Sequence, residues 1–157
     1  MPDRTLDAGS FAIYVGGRRV ATETFSITQG VAGATAASTF RTETGDAVEE
    51  RSELQVSSKG DLRSYDWKQV SPNPAHATLT ADGEMLMQHS QAAGQATVQE
   101  HPYLLPASTS VLDDYFFVHR EVLLWRFLAS VCRQQSGSVE CPPGQKHSFA
   151  TVIPHQT

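Results

Sequence analysis

The sequence predicts an α+β fold that is mainly β: a curved antiparallel meander sheet, arranged as a half-barrel, wrapped around one long apolar helix. Two observations predict it. Short segments of alternating apolar and polar residues, separated by turns rich in Gly and Pro, run through most of the 157 residues. One late stretch, residues 114–131, instead carries apolar residues at helical spacing around most of its circumference, so we expect it to be buried on most sides.

Length and composition describe one domain of ordinary size. We place a loose polar segment at residues 1–9 and a single β-rich domain at residues 10–157. The net charge of −5 and the lack of a basic stripe exclude a nucleic-acid partner. The apolar runs are too short for a transmembrane segment. The N-terminus lacks a signal-peptide pattern, so we expect a cytoplasmic protein if Met1 is the native start, and a periplasmic or secreted one if a signal peptide was removed.

Turn residues predict a series of hairpins. Gly16-Gly17 supplies the two positive-φ residues of a tight turn between strands at residues 11–15 and 20–28. Further predicted strands lie at residues 36–41, 48–57, 62–70, 75–80, 85–90 and 96–100. The charges of Glu49, Glu50 and Arg51 indicate an exposed sheet face. The final run, residues 148–153, has no return partner, so we expect either an incomplete version of a longer domain or a homodimer formed through this open edge strand.

The predicted helix covers about residues 114–131. Asp113 or Asp114 is expected to cap it by accepting hydrogen bonds from the free amides of the first turn. Its apolar face is formed by residues at three-, four- and seven-residue spacings, namely Phe117, Val118, Leu124, Phe127, Leu128 and Val131. Beyond the helix, a Gly- and Pro-containing connection separates Cys132 from Cys141. A disulfide and two unpaired cysteines are both compatible with that spacing.

The opening strand–GG–strand stretch, FAIYVGGRRVATETFSI, resembles the start of uncharacterised bacterial envelope β-half-barrel proteins of the lipoprotein-carrier (LolA/LolB-like) type. The later stretch VLDDYFFVHREVLLWRF, followed by FATVIP, is similar to the helix-then-strand portion of longer members. The resemblance covers residues 11–154. It implies an open, curved antiparallel sheet that holds helices in its concavity, with an apolar space for acyl chains. Members of this kind continue with further strands, which this chain lacks.

The first functional hypothesis is a binding or carrier module for a lipophilic, acyl-type ligand, held in an apolar crevice between sheet and helix. Aromatic and flexible apolar side chains are the candidates to line that crevice. They are Tyr65, Trp67, Met87, Phe117, Leu124 and Trp125. These residue types are equally common in ordinary cores, so simple packing is the competing interpretation of each. No cofactor is expected.

The second hypothesis is a small hydrolase of lipophilic esters or lactones. The sequence has no nucleophile elbow, no Ser-x-x-Lys pair and no phosphate or dinucleotide glycine motif. His119 with Asp114 is the candidate catalytic pair, and a histidine bonded within the core is the competing interpretation. Asp113 and Asp114 are candidates to hold a hard cation such as Ca²⁺, although helix capping also explains them. A third hypothesis is an assembly domain that pairs through its open edge strand.

Overall fold

The computed structural model describes residues 3–106, 109–145 and 149–152. Its main element is an eight-stranded antiparallel sheet in which each strand pairs with the next strand in sequence. The strands are β1 (Arg4–Val15), β2 (Arg18–Gly30), β3 (Gly33–Thr42), β4 (Glu49–Ser57), β5 (Leu62–Ser71), β6 (Ala75–Asp82), β7 (Met85–Gln91) and β8 (Gln99–Tyr103). In the described part of the chain β1 and β8 do not meet, so the sheet is an open meander and not a closed barrel.

Smaller elements follow the sheet. They are β9 (Ser110–Asp113), the helix α1 (Val118–Val131), β10 (Arg133–Gln135), β11 (Ser138–Glu140) and β12 (Phe149–Val152). The strands β10 and β11 form a short hairpin. The strand β12 pairs in parallel with β9, so the expectation that the final run has no partner is wrong. The partner lies before the helix, and a parallel pair of this kind leaves no turn signal in the sequence.

The predicted antiparallel meander is confirmed. Gly16 and Gly17 turn the first hairpin with φ angles of 57° and 76°, as a two-residue turn of this type requires. Two boundaries differ from prediction. The strand β1 begins at Arg4, so residues 4–9, which were expected to be loose, belong to the sheet. The last strand of the meander lies at residues 99–103 and not at residues 96–100.

One face of the sheet carries the core, and the alternation of buried and exposed residues along each strand defines this inner face. The helix and the segment before it add residues from the other side. The buried hydrophobic cluster consists of Phe25, Ile27, Ala36, Leu54, Leu62, Tyr65, Trp67, Ala77, Leu79, Leu86, Val111, Phe116 and Val118. Glu50 also lies on this face and is only 7% exposed, so its assignment to a solvated surface is wrong.

The prediction of a long apolar helix wrapped by the sheet is also wrong. The helix has 14 residues and begins at Val118 rather than at residue 114, because residues 114–117 form the turn that connects β9 to the helix. Within it, the fully buried positions are Val118 and His119. Leu124, expected at the centre of the buried face, is 54% exposed. The sheet therefore covers one side of the helix. No helix among the described residues is long and apolar enough to cross a membrane.

Candidate functional site

The first turn of the helix is held by a carboxylate from the sheet. The alternation of β2 places Glu23 on the inner face with Phe25 and Ile27, where it is completely buried. Its Oε2 accepts a hydrogen bond from the Phe117 amide at 2.6 Å, and its Oε1 accepts one from the Val118 amide at 3.1 Å. These amides lack partners within the helix, and the negative charge suits the positive end of the helix dipole. Glu23 therefore caps the helix.

Ser38, from the neighbouring strand β3, completes this cap. Its hydroxyl group donates a hydrogen bond to Glu23 Oε1 at 2.8 Å. The predicted local cap is wrong. Asp113 Oδ1 instead accepts from the amide of Tyr115 at 3.0 Å, before the helix begins, and Asp114 is paired with Arg120 on the surface.

His119 lies in the same polar layer and is also completely buried. Its Nδ1 accepts a hydrogen bond from the Asp113 amide at 3.1 Å, which leaves the ring proton of the neutral form on Nε2. That nitrogen lies 3.4 Å from the hydroxyl oxygen of Ser52. Burial, with a smaller contribution from the charge of Arg120, lowers the pKa of His119 to about 3. The ring is therefore neutral at physiological pH.

Asp113 links this histidine to the sheet. Its Oδ2 accepts a hydrogen bond from the Tyr65 hydroxyl group, and the Tyr65 ring contacts the His119 ring edge-on at 5.4 Å between centroids. Burial, together with the nearby Asp113 carboxylate, raises the pKa of Tyr65 well above its ordinary value. Trp67 Nε1 donates to Glu50 Oε2 at 3.3 Å, and burial raises the pKa of Glu50. The contacts of Tyr65 connect the sheet to β9 and to the first turn of the helix, whereas the Trp67–Glu50 bond joins two strands of the sheet.

This environment does not suit the predicted catalytic pair. His119 is sealed from solvent and its Nδ1 lone pair is already engaged by a backbone amide, so the ring cannot take a proton from a bound substrate. Asp114 lies at the surface with Arg120, and its side chain is 52% exposed. The structure therefore places the two residues in different environments, one in the core and one at the surface.

The predicted calcium ligands are similarly divided. Both carboxylate oxygens of Asp113 accept hydrogen bonds inside the core, whereas Asp114 faces solvent beside a positive charge. Among residues 3–106, 109–145 and 149–152, no group of three or more His, Cys, Asp or Glu side chains is arranged to hold a metal ion.

A crevice of about 530 Å³ opens farther along the helix, between the helix and the inner face of β2, β3 and β4. Ile27, Ala36 and Leu54 form its sheet wall, and Val122 and Trp125 belong to its helix wall. Small-molecule sites commonly enclose about 300–1,000 Å³ behind mainly apolar walls. In size and lining, the crevice is suited to a small lipophilic ligand.

Two glycines shape this crevice. At Gly33, where φ is 141°, an added Cβ atom would overlap the carbonyl oxygen of Val56, so β3 and β4 can approach this closely only with glycine there. At Gly60, in the β4–β5 turn, an added Cβ atom would lie 3.2 Å from Cγ of Arg126. The arginine stem therefore packs on this turn, and its Nη2 donates to Asp61 Oδ1 at 3.2 Å.

Of the six predicted ligand-binding residues, Trp125 lines the crevice. Tyr65 and Trp67 are buried in the core at 1% and 2% exposure. Met87 is half-buried and alternates with the inward-facing Leu86 and Gln88, which places it on the outer face of β7.

The two helix-region candidates lie elsewhere. Phe117 contacts Phe11 at 5.8 Å between ring centroids and is covered by the guanidinium of Arg120 at 4.9 Å. Leu124 faces solvent. Beyond the helix, Cys132 and Cys141 are joined in a disulfide, which resolves the alternatives left open by their spacing.

Sequence reasoning did not recognise Glu23 and Glu50 as buried carboxylates. Glu23 has the same parity as Phe25 and Ile27 on β2, and Glu50 has the same parity as Leu54 on β4. Parity was therefore an available signal that these carboxylates face inward. It also missed the small residues Ala34 and Ala36, whose short side chains leave the space that the crevice occupies.

Comparison with known proteins gives this chain no relative, since no family model, curated protein or solved structure matches it.

Proposed function

We propose that this protein is a binding or carrier module for a lipophilic, acyl-type molecule, and that the open sheet and the helix act together as a half-barrel with the ligand between them. The observation that carries the proposal is the crevice of about 530 Å³ between the inner face of β2–β4 and the later turns of α1. The resemblance to lipoprotein carriers points to the same class of ligand.

The lining chemistry supports binding of an alkyl chain. Ile27, Leu54 and Val56 from the sheet face Val122 and Trp125 from the helix across the crevice. Each methylene group transferred from water to such walls contributes about 0.8 kcal/mol, which gives an alkyl chain enough burial to offset the cost of association. Ser57, Ser58 and Ser130 also line the crevice.

The lining gives less support to ester hydrolysis. Among the described residues that surround the crevice there is no His, Asp, Glu or Cys. The candidate base, His119, is buried beside Asp113 and Ser52. Binding without chemistry is therefore the function that this site favours.

A steric block of the crevice tests the proposal. Ala129 lines the crevice and is itself exposed, so Ala129→Trp should fill the crevice without disturbing the core. We expect the wild-type protein to bind the neutral dye Nile red with increased fluorescence, and 1-dodecanol to displace the dye. In Ala129→Trp the affinity for both should fall by about tenfold or more, equivalent to losing the burial of two or more methylene groups.

Leu124→Trp is the matched control. It adds the same side chain to the same helix at an exposed position outside the crevice lining. Its affinity for Nile red and dodecanol should equal that of the wild type. Absence of dye binding, or equal binding by Ala129→Trp, would contradict the proposed function.

A further inference from the structure

The two edges of the eight-stranded sheet differ in how they are protected. The edge strand β8 has 5 residues, of which Pro102 carries no N–H group, and a short edge strand with proline resists pairing with another chain. The opposite edge strand, β1, has 12 residues and contains neither proline nor lysine. In the described part of the chain its hydrogen-bonded neighbour is β2 alone. The open edge of this sheet is therefore β1.

The middle of β1, residues 7–13, presents regular backbone to this open edge. Its register with β2 is continuous, and irregularities lie on either side of it. The Ala8 amide donates to the Asp7 carboxylate at 2.7 Å, so this amide points away from β2. Because successive residues of an antiparallel strand bond to opposite sides, the N–H and C=O groups of Ala8, Ser10 and Ala12 face the open edge.

This segment is complementary to a second copy of itself. An antiparallel pair centred on Ser10 places Ser10 opposite Ser10 of the partner subunit, and Ala8 opposite Ala12 of the partner subunit. Each such pair exchanges two hydrogen bonds, which gives about six in total. The side chains at these positions are small and exposed, so they permit close approach. On the other face the same register places Gly9 opposite Phe11 of the partner subunit, where glycine leaves space for an aromatic ring.

Charge and apolar surface favour the same arrangement. Asp7 is the ionisable residue of residues 7–13, and the register places the two Asp7 side chains about 20 Å apart, at opposite ends of the paired segment. Leu6 and Tyr14 are exposed apolar residues that flank the segment. Antiparallel pairing brings Leu6 of one copy to the same end as Tyr14 of the partner subunit. The pairing therefore opposes no like charges and gathers apolar side chains.

We propose that β1 is a homodimerisation strand: the β1 strands of two copies pair antiparallel about a two-fold axis at Ser10, and the two sheets become one continuous sheet. A two-fold interface uses the same surface on both subunits, and strand addition at an exposed edge is a common mode of association. The inference is independent of the proposed function, because the crevice lies between the helix and β2–β4.

Sedimentation equilibrium tests the dimer. Between about 1 µM and about 1 mM wild-type protein, the average mass should rise from that of one chain towards that of two. Ser10→Lys places two like charges directly opposite each other at the axis and should weaken the dimer by at least about tenfold. Thr24→Lys is the matched control, because Thr24 is exposed and lies opposite Ser10 on β2. Its two copies are about 14 Å apart in the dimer, so screening should keep association within about twofold of the wild type.

Two further experiments test the position of the axis. An equimolar mixture of Ser10→Lys and Ser10→Glu should recover association, because opposite charges then face each other. Ser10→Cys should form a disulfide-linked dimer on mild oxidation, since Cα atoms of a hydrogen-bonded pair lie about 5.5 Å apart, a separation that a disulfide spans. Thr24→Cys should not form one. The native cysteines are already paired with each other, so the new thiol has no internal competitor.

The outcomes decide the proposal. A wild-type protein that stays monomeric at about 1 mM would overturn it, and so would equal association by Ser10→Lys and Thr24→Lys. Linked dimers formed as readily by Thr24→Cys as by Ser10→Cys would overturn the axis at Ser10. If Ser10→Lys proves unfolded by circular dichroism, the two cysteine variants decide the question alone.

Discussion

At its first turn helix α1 is inserted among buried polar groups of the sheet, whereas along its later turns it lies over an apolar crevice in the same sheet. The first region contains Glu23 and His119, both completely buried and hydrogen-bonded. The second contains Val122, Trp125 and the small side chain of Ala36 around about 530 Å³ of space. The first turn of this short helix is therefore buried, whereas its later turns border an open crevice.

The difference shows how a helix can stay in place without filling the space beneath it. Hydrogen bonds to a buried charge are directional and each contributes more than a neutral bond. The Glu23 cap therefore fixes the position of the helix at its beginning. The later turns therefore do not need dense packing to keep the helix in position. Along these turns the ion pair between Arg126 and Asp61 also holds the helix.

Removal of the Glu23 cap should destabilise the buried first turn of the helix and should have the largest effect on the free energy of unfolding. We expect Glu23→Ala to lower the free energy of unfolding by about 3–5 kcal/mol, because the Phe117 and Val118 amides lose their acceptor and the Ser38 hydroxyl group loses the nearer of its two acceptors. Urea denaturation followed by fluorescence would measure the loss.

Glu53→Ala provides the control for that experiment. Glu53 is an exposed carboxylate on β4 that pairs with Gln55, so its removal should change stability by less than about 0.5 kcal/mol. A loss below about 1 kcal/mol in Glu23→Ala would show that the cap does not anchor the helix.

Acid should lower the stability of the protein through His119, which is buried at the first turn of the helix. The unfolded histidine binds a proton below its ordinary pKa of 6.5, whereas the folded one does so only near its lowered pKa of about 3. Stability from this group is therefore complete above pH 6.5 and is lost as the pH falls, by about 1.4 kcal/mol per pH unit. Denaturation curves recorded between pH 7 and pH 4 would show this slope.

A variant isolates the histidine from other titrating groups. His119→Asn keeps an acceptor for the Asp113 amide and cannot titrate. Glu50, whose pKa is raised by burial, acts in the opposite direction because its folded form takes up a proton first as the pH falls. Its contribution is common to both proteins and cancels in the difference. Parallel curves for the two proteins would refute the assignment to His119.

Truncation of one apolar residue in the first turn and one in the middle of the helix sharpens the comparison. Val118→Ala, at a completely buried position, should cost about 2 kcal/mol because it leaves a void. Leu124→Ala, at an exposed position, should cost less than about 0.5 kcal/mol. Thermal or urea denaturation measures both. Equal losses would mean that the two positions are packed alike.

The smallest global effect is expected from the disulfide beyond the helix. Cys132 and Cys141 close the β10–β11 hairpin, whose residues are all exposed. Replacing both with serine should speed hydrogen exchange in residues 133–140 and change the global free energy of unfolding by less than about 1 kcal/mol, because the hairpin opens as a local unit. A larger global loss would place this hairpin within the cooperative core.

The strand order could be predicted because each hairpin has its own local signal. Gly16-Gly17 combines positive-φ residues with alternating strands on both sides, and such turns determine which strands pair. The helix start could not be predicted in this way. Asp113 and Asp114 are typical capping residues, but Asp113 ends β9 and the cap comes from a distant strand.

The candidate site was predictable only in outline. A crevice between sheet and helix follows from an apolar helix beside a sheet, and Trp125 lies in it. The positions of Leu124 and Phe117 depend on how the helix is rotated about its axis. The contacts at the start of the helix, such as those of Glu23 with the Phe117 and Val118 amides, join residues far apart in the sequence and therefore have no local sequence signal.

The distance along the chain between Glu23 and the amide it caps, 94 residues, has a consequence for folding order. A 14-residue helix is marginal in water by itself, whereas the hairpins of the sheet close over short loops within microseconds. During synthesis from the N-terminus, β2 leaves the ribosome long before α1 is made. The helix therefore reaches a sheet that already presents its acceptor, and the space beneath its later turns is enclosed last.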